Sequence, residues 1–121
     1  ELMSRVRPPN SLSVISLKLA EMSLENIGLM KEHVTKITAE RERVAHALAK
    51  ISGLSVLPTK TNFLLVRFRE RTASEVYEEL LRSGIVSRDV SKLPLLANIL
   101  RFTIRTREHN DLLIDKIRSL E

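Results

Sequence analysis

The chain has 121 residues, 43% of them hydrophobic and 29% charged, a balance that suits one compact globular domain and argues against disorder. With no cysteine, disulfides, thiolate metal sites and cysteine nucleophiles are excluded, and no apolar run reaches the length of about eighteen residues that a membrane helix needs. The formal charge of +5 bears on solubility rather than fold, because the 20 basic residues are interleaved with acidic ones and no block of like charge forms.

His33, His46 and His109 are widely separated and form no short-spaced ligand pair, so surface histidines are expected rather than a metal site. The first residues lack a basic start, apolar run and small-residue cleavage pattern. A soluble, reducing compartment such as the cytoplasm is therefore expected, and no membrane partner. The chain begins at Glu1 rather than at methionine, so a fragment or a processed piece is expected.

Arg5 to Asn10, Arg-Val-Arg-Pro-Pro-Asn, is expected to be extended, because proline fixes its own φ and pushes the preceding residue out of the helical region. From Leu12 to Met30 apolar residues are dense and only Lys18, Glu21 and Glu25 form a narrow polar stripe, predicting a helix that needs cover on most sides. Gly28 is the expected break. Beyond it, Met30, Val34, Ile37, Val44, Leu48 and Ile51 repeat at helical spacing, with Gly53 as the expected stop.

Leu54 to Leu57 reads as a short strand closed by Pro58, and Asn62 to Phe68 as a second strand, central because Phe63 to Val66 is apolar on both faces. Thr72-Ala-Ser-Glu75 is a capping box, in which side chains and backbone donors satisfy each other at the start of a helix that ends at Gly84. Ile85 to Asp89 is expected as a third strand, Val90 to Asn98 as a loop, and Ile99 to Ile104 as a fourth strand. Thr106 caps a last helix that carries Leu113, Ile117 and Leu120 on one face. This order predicts an α+β fold: a small, largely antiparallel sheet of three to four strands packed with helices.

No glycine-rich phosphate loop, Gly-x-Ser-x-Gly turn or histidine beside a nucleophile is present, so the chain alone is expected to be inactive. Two arginines stand out, Arg88 at the end of one expected strand and Arg101 inside the next. Alternation sends Leu100, Phe102 and Ile104 one way and Ile99, Arg101 and Thr103 the other, so Arg101 projects from the face the core does not use. A guanidinium there is a planar fork matched to a carboxylate or phosphate. The residues alone leave a second reading open, in which Arg101 and Arg88 are solvated or paired with Asp89, and Asn62 merely bonds its own backbone.

Taken in order, Arg5-Val-Arg-Pro-Pro9, Glu40-Arg-Glu-Arg43, Thr61-Asn-Phe-Leu-Leu-Val-Arg67, Arg88-Asp89, Leu100-Arg101-Phe-Thr and Asn110-Asp-Leu-Leu113 resemble the histidinol-phosphate aminotransferases along essentially the whole chain. The resemblance implies the C-terminal small domain of a fold type I enzyme. An extended segment, 1–11, would leave a missing large domain, an interdomain helix would span 12–30, and the small domain would span 31–121. It implies a homodimer that exchanges an amino group between histidinol phosphate and glutamate, with 2-oxoglutarate on the other side. Arg101 and Arg88 would bind the anionic substrate. The pyridoxal phosphate cofactor and its Schiff-base lysine would belong to the missing domain, so none of the chain's lysines is assigned.

Two positions depart from the family pattern: Asn10, where an aromatic usually follows the prolines, and Arg105, where glycine usually gives φ > 0 and close backbone approach. They leave room for a threonine-phosphate decarboxylase, which shares the fold and also recognises a phosphate. A basic α+β nucleic-acid module is the reading of another class, disfavoured because no Gly-x-x-Gly loop or aromatic RNA-binding strand occurs. A dimerising regulatory module rests on the apolar first helix alone.

Overall fold

The structure is a computed structural model that describes residues 12–120. The extended segment expected over 1–11, with Asn10, lies outside these residues. The chain divides into two compact units, 1–34 and 35–121.

Among its described residues the first unit is helical. Helix α1, Val14–Glu25, starts at Ser13, whose side chain accepts from the backbone N–H of Ser16 at 3.1 Å. Its apolar side chains stay exposed, including Val14 at 82% and Ile15 at 74%. The helix ends two residues earlier than glycine placement predicts, at Asn26. The Asn26 amide side chain donates to the Met22 carbonyl at 2.8 Å, and its backbone N–H turns back to Ser23, the local competition by which asparagine ends helices. Gly28 sits inside the next helix, α2, Ile27–Leu48.

The second unit is a four-stranded, wholly antiparallel sheet covered on one face by helices. Its strands are β1, Leu54–Leu57; β2, Phe63–Phe68; β3, Arg88–Asp89; and β4, Ile99–Thr103, in the order β1-β2-β4-β3. Helix α3, Ala73–Arg82, and helix α4, Arg107–Arg118, complete it. Leu64, Val66 and Phe68 of β2 and Leu100 and Phe102 of β4 point into one core, where Val44 and Leu48 of α2, Val76 and Leu80 of α3, and Leu113 and Ile117 of α4 meet them. Each of these large side chains contributes about 1.5–3 kcal/mol by leaving water. The fold class is α+β, with β2 and β4 as the central strands.

Local chemistry sets the boundaries. Thr72 and Glu75 form the complete capping box of α3. At the other end Gly84, at φ 76°, donates to Leu81, and Ile85 donates to Leu80, two bonds that close the helix in a Schellman turn. Ile85 is thus spent on the cap, and β3 shrinks from the expected Ile85–Asp89 to Arg88–Asp89. Helix α2 also stops before its glycine. It ends at Leu48, and short i→i+3 bonds through Lys50 and Ile51 carry the chain to Gly53, at φ 74°. Thr106 is the N-cap of α4, but its hydroxyl bonds the His109 ring nitrogen at 2.7 Å rather than a backbone N–H.

Among the described residues no helix is long and apolar enough to cross a membrane.

An arginine face on the sheet as candidate functional site

The register places Arg88 of β3 directly opposite Arg101 of β4, so the two guanidinium side chains leave the same side of the sheet. That side is turned away from the core that buries Leu100 and Phe102. Like charges directly opposite in a sheet repel, and an acid between them is the ordinary remedy. None is supplied: among the described residues neither arginine enters an ion pair. Asp89 is engaged elsewhere, accepting from the Ser91 backbone N–H at 2.8 Å, from the Ser91 hydroxyl, and from the Ser74 hydroxyl at 3.5 Å. The Ser91 hydroxyl, above all, holds its carboxyl below the usual aspartate range, with burial pulling the other way. The pairing with Asp89 that the residues alone left open does not form.

Strand β2 adds two residues that strand alternation in β4 alone does not reveal. Leu65 lies opposite Arg101, so Phe63 and Arg67, two residues away on either side, share the arginine face. The Arg101 guanidinium carbon lies 5.0 Å from the centroid of the Phe63 ring, within cation–π range. Arg67 sits diagonal to Arg101, a spacing of about 7–8 Å in sheets, and reaches the Leu95 carbonyl at 3.4 Å. The Nε atoms of both Arg67 and Arg101 are buried without a hydrogen-bond partner. The motif Thr61 to Arg67 was visible in the chain, but the face its odd-numbered residues share with Arg101 follows only from the register between β2 and β4.

The loop from Val90 to Asn98 joins the two arginine strands. Asn98 adopts φ 61°, its amide donates to the Phe68 carbonyl and, at 2.8 Å, to the Arg71 carbonyl, and its oxygen accepts from the first N–H of α3 at 2.6 Å. One side chain therefore fixes the entry to β4, the end of β2 and the start of α3. Asn62 lies at the other end of the β2–β4 ladder and extends it through its backbone, its carbonyl accepting from Ile104 at 2.9 Å.

The other motif residues serve the scaffold. Glu40 accepts from Arg43 Nε at 3.0 Å and from Asn110 at 3.0 Å, Arg43 reaches Asp111 at 2.7 Å, and nearly buried Arg41 donates to the Thr61 carbonyl at 3.1 Å. The Arg43 hydrogen bond is the main reason the Glu40 carboxyl is held below the usual glutamate range. Arg105 shows none of the strain that replacing a glycine suggests. It is not among the residues with positive φ, and its backbone N–H and carbonyl are both taken by the Asn110 side chain, at 3.1 and 2.9 Å. Two open clefts of 640 Å³ each involve neither Arg67, Arg88 nor Arg101, so they lie off the arginine face. Among the described residues no group of three His, Asp or Glu side chains could hold a metal ion.

The model of the family "Aminotransferase class I and II" matches residues 2–117. The chain belongs to this family. It is 40% identical to the histidinol-phosphate aminotransferase of Thermoanaerobacter pseudethanolicus over 98% of its own length and 33% of that protein. It thus spans about a third of the curated relatives it matches. Among solved structures, histidinol-phosphate aminotransferase from Sinorhizobium meliloti, determined in complex with pyridoxal-5'-phosphate, aligns with a TM-score of 0.75 and 29% identity over 99% of this chain and 34% of that one. L-threonine-O-3-phosphate decarboxylase from Porphyromonas gingivalis aligns with a TM-score of 0.68 and 26% identity over 71% of this chain and 27% of that one.

Proposed function

We propose that the chain is the C-terminal, substrate-binding part of a pyridoxal-phosphate-dependent aminotransferase that moves an amino group from histidinol phosphate to 2-oxoglutarate, giving imidazole acetol phosphate and glutamate in histidine biosynthesis. The observation that carries this reading is the Arg88–Arg101 rung, two cations facing each other with no acid between them. Arg101 presents a planar fork to a carboxylate or phosphate oxygen pair, and Arg88 adds charge beside it for a dianion. A charge-assisted bond of about 1.5–3 kcal/mol corresponds to roughly ten- to a hundredfold in binding.

Pyridoxal phosphate, when bound, supplies the electron sink for amino transfer. The arginine face does not by itself fit that cofactor, because no strand of this sheet carries a lysine that could hold its aldehyde. The cofactor and the catalytic lysine are assigned to the remainder of the enzyme, which we read as a cytoplasmic homodimer. The role of this chain is to bind and orient the anionic end of the substrate.

The test is amino transfer by the full-length enzyme from histidinol phosphate to 2-oxoglutarate, with Arg101→Ala as the variant. The reading expects turnover in the wild type and a substrate KM raised about ten- to a hundredfold in the variant. No amino transfer in the wild type, or an unchanged KM in the variant, refutes it. The likeness to the threonine-phosphate decarboxylase favours a second reading. Release of carbon dioxide from threonine phosphate without need of 2-oxoglutarate would select that one.

A further inference from the structure

We infer that Phe63 is the positioning residue for Arg101: its ring holds the guanidinium in place of an acid and leaves the outer N–H groups free for an anion. The inference rests on the reading of Arg101 as an anion ligand and extends it to a residue with no chemistry of its own.

Arg101 stands opposite Arg88 and diagonal to Arg67, so repulsion from two sides favours rotamers that splay it away from the sheet. A carboxylate would restrain it but would also occupy the fork. The structure uses a ring instead, with the guanidinium carbon 5.0 Å from the Phe63 centroid. A ring attracts the cation through its face without consuming an N–H donor. The buried Nε of Arg101, which has no hydrogen-bond partner, shows that the inner part of the group is desolvated yet bonded to nothing. Phe63 is also not required by the core. The core-facing residues of β2 are Leu64, Val66 and Phe68, and Phe63 is only half-buried on the opposite face.

The experiment follows the arginine Nε–H resonances of the 15N-labelled 121-residue chain during titration with inorganic phosphate, the Arg101 signal being assigned from its loss in Arg101→Lys. The ring is expected to displace that signal upfield, and phosphate to shift it further. Phe63→Leu should abolish the ring displacement and weaken phosphate binding about fivefold, ~1 kcal/mol at 1.4 kcal/mol per tenfold, and Phe63→Tyr should restore both. If Phe63→Leu does not fold, Phe63→Met makes the same comparison. Unchanged phosphate affinity in a folded Leu or Met variant overturns the inference and leaves the anion-ligand reading standing. An Arg101 signal that ignores phosphate in the wild type overturns both.

Discussion

Replacing Asn98 by alanine tests whether one side chain organises the approach to the arginine face. The substitution removes three hydrogen bonds, to the carbonyls of Phe68 and Arg71 and from the backbone N–H of Ala73. At a net value of about 1 kcal/mol each they contribute roughly 3 kcal/mol. Alanine must also hold the φ of 61° that asparagine tolerates, at a further cost of about 1 kcal/mol. Asn98→Gly removes the same bonds without that steric cost, so the two variants are expected to lose about 4 and about 3 kcal/mol. Tyr77, the only tyrosine in a chain without tryptophan, packs against the core of the second unit and reports its unfolding directly. Urea titration followed by its fluorescence should put the Asn98→Ala midpoint about 2 M below the wild type, for a slope near ~2 kcal/mol per M. An Asn98→Ala midpoint indistinguishable from the wild type would show that the loop and helix start are held by something else, and would refute the reasoning.

Other expectations follow from the same geometry. Arg88 is exposed on a two-residue edge strand, so Arg88→Ala should raise substrate KM less than Arg101→Ala does, about three- to tenfold, in the same amino-transfer assay. Because Arg43 lowers the folded-state pKa of Glu40, that interaction stabilises the fold fully above the ordinary glutamate range, near ~4.3, and is lost as pH falls toward the depressed folded value. Urea midpoints between pH 6 and pH 3 should fall more steeply for the wild type than for Glu40→Gln, and parallel slopes would contradict the assignment. Gly84→Ala should cost about 1 kcal/mol through its φ of 76° alone, since an added Cβ meets nothing within 4 Å. Thermal unfolding read at Tyr77 measures it, and a loss of several kcal/mol would indicate a steric cause instead.

The parts of the fold legible in the chain were those written in local chemistry. Thr72 and Glu75 mark the start of α3 because capping involves only neighbouring residues, and the strands β1, β2 and β4 follow from runs of apolar and β-branched residues. The misread boundaries are places where two local signals compete. Ile85 looks like strand but is used by the Schellman turn, and Asn26 ends α1 with its side chain before Gly28 can act. The arginine face divides the same way. Alternation is enough to turn Arg101 away from the core, whereas its meeting with Phe63, Arg67 and Arg88 depends on pairings between strands distant in sequence. No periodicity within β2 can say which residue of β4 it faces.

Arg88 and Arg101 are thirteen positions apart in the chain, yet in the sheet they form a single rung. Their distance is set by hydrogen bonding between β3 and β4 and not by the intervening residues, so insertions or deletions confined to the middle of the 90–98 loop would leave the rung intact. Fixed spacing is then the wrong ruler for recognising this face in diverged proteins. The transferable signature is a pair of facing strands that each turn an arginine outward at the same level, whatever the length of the bridge that joins them.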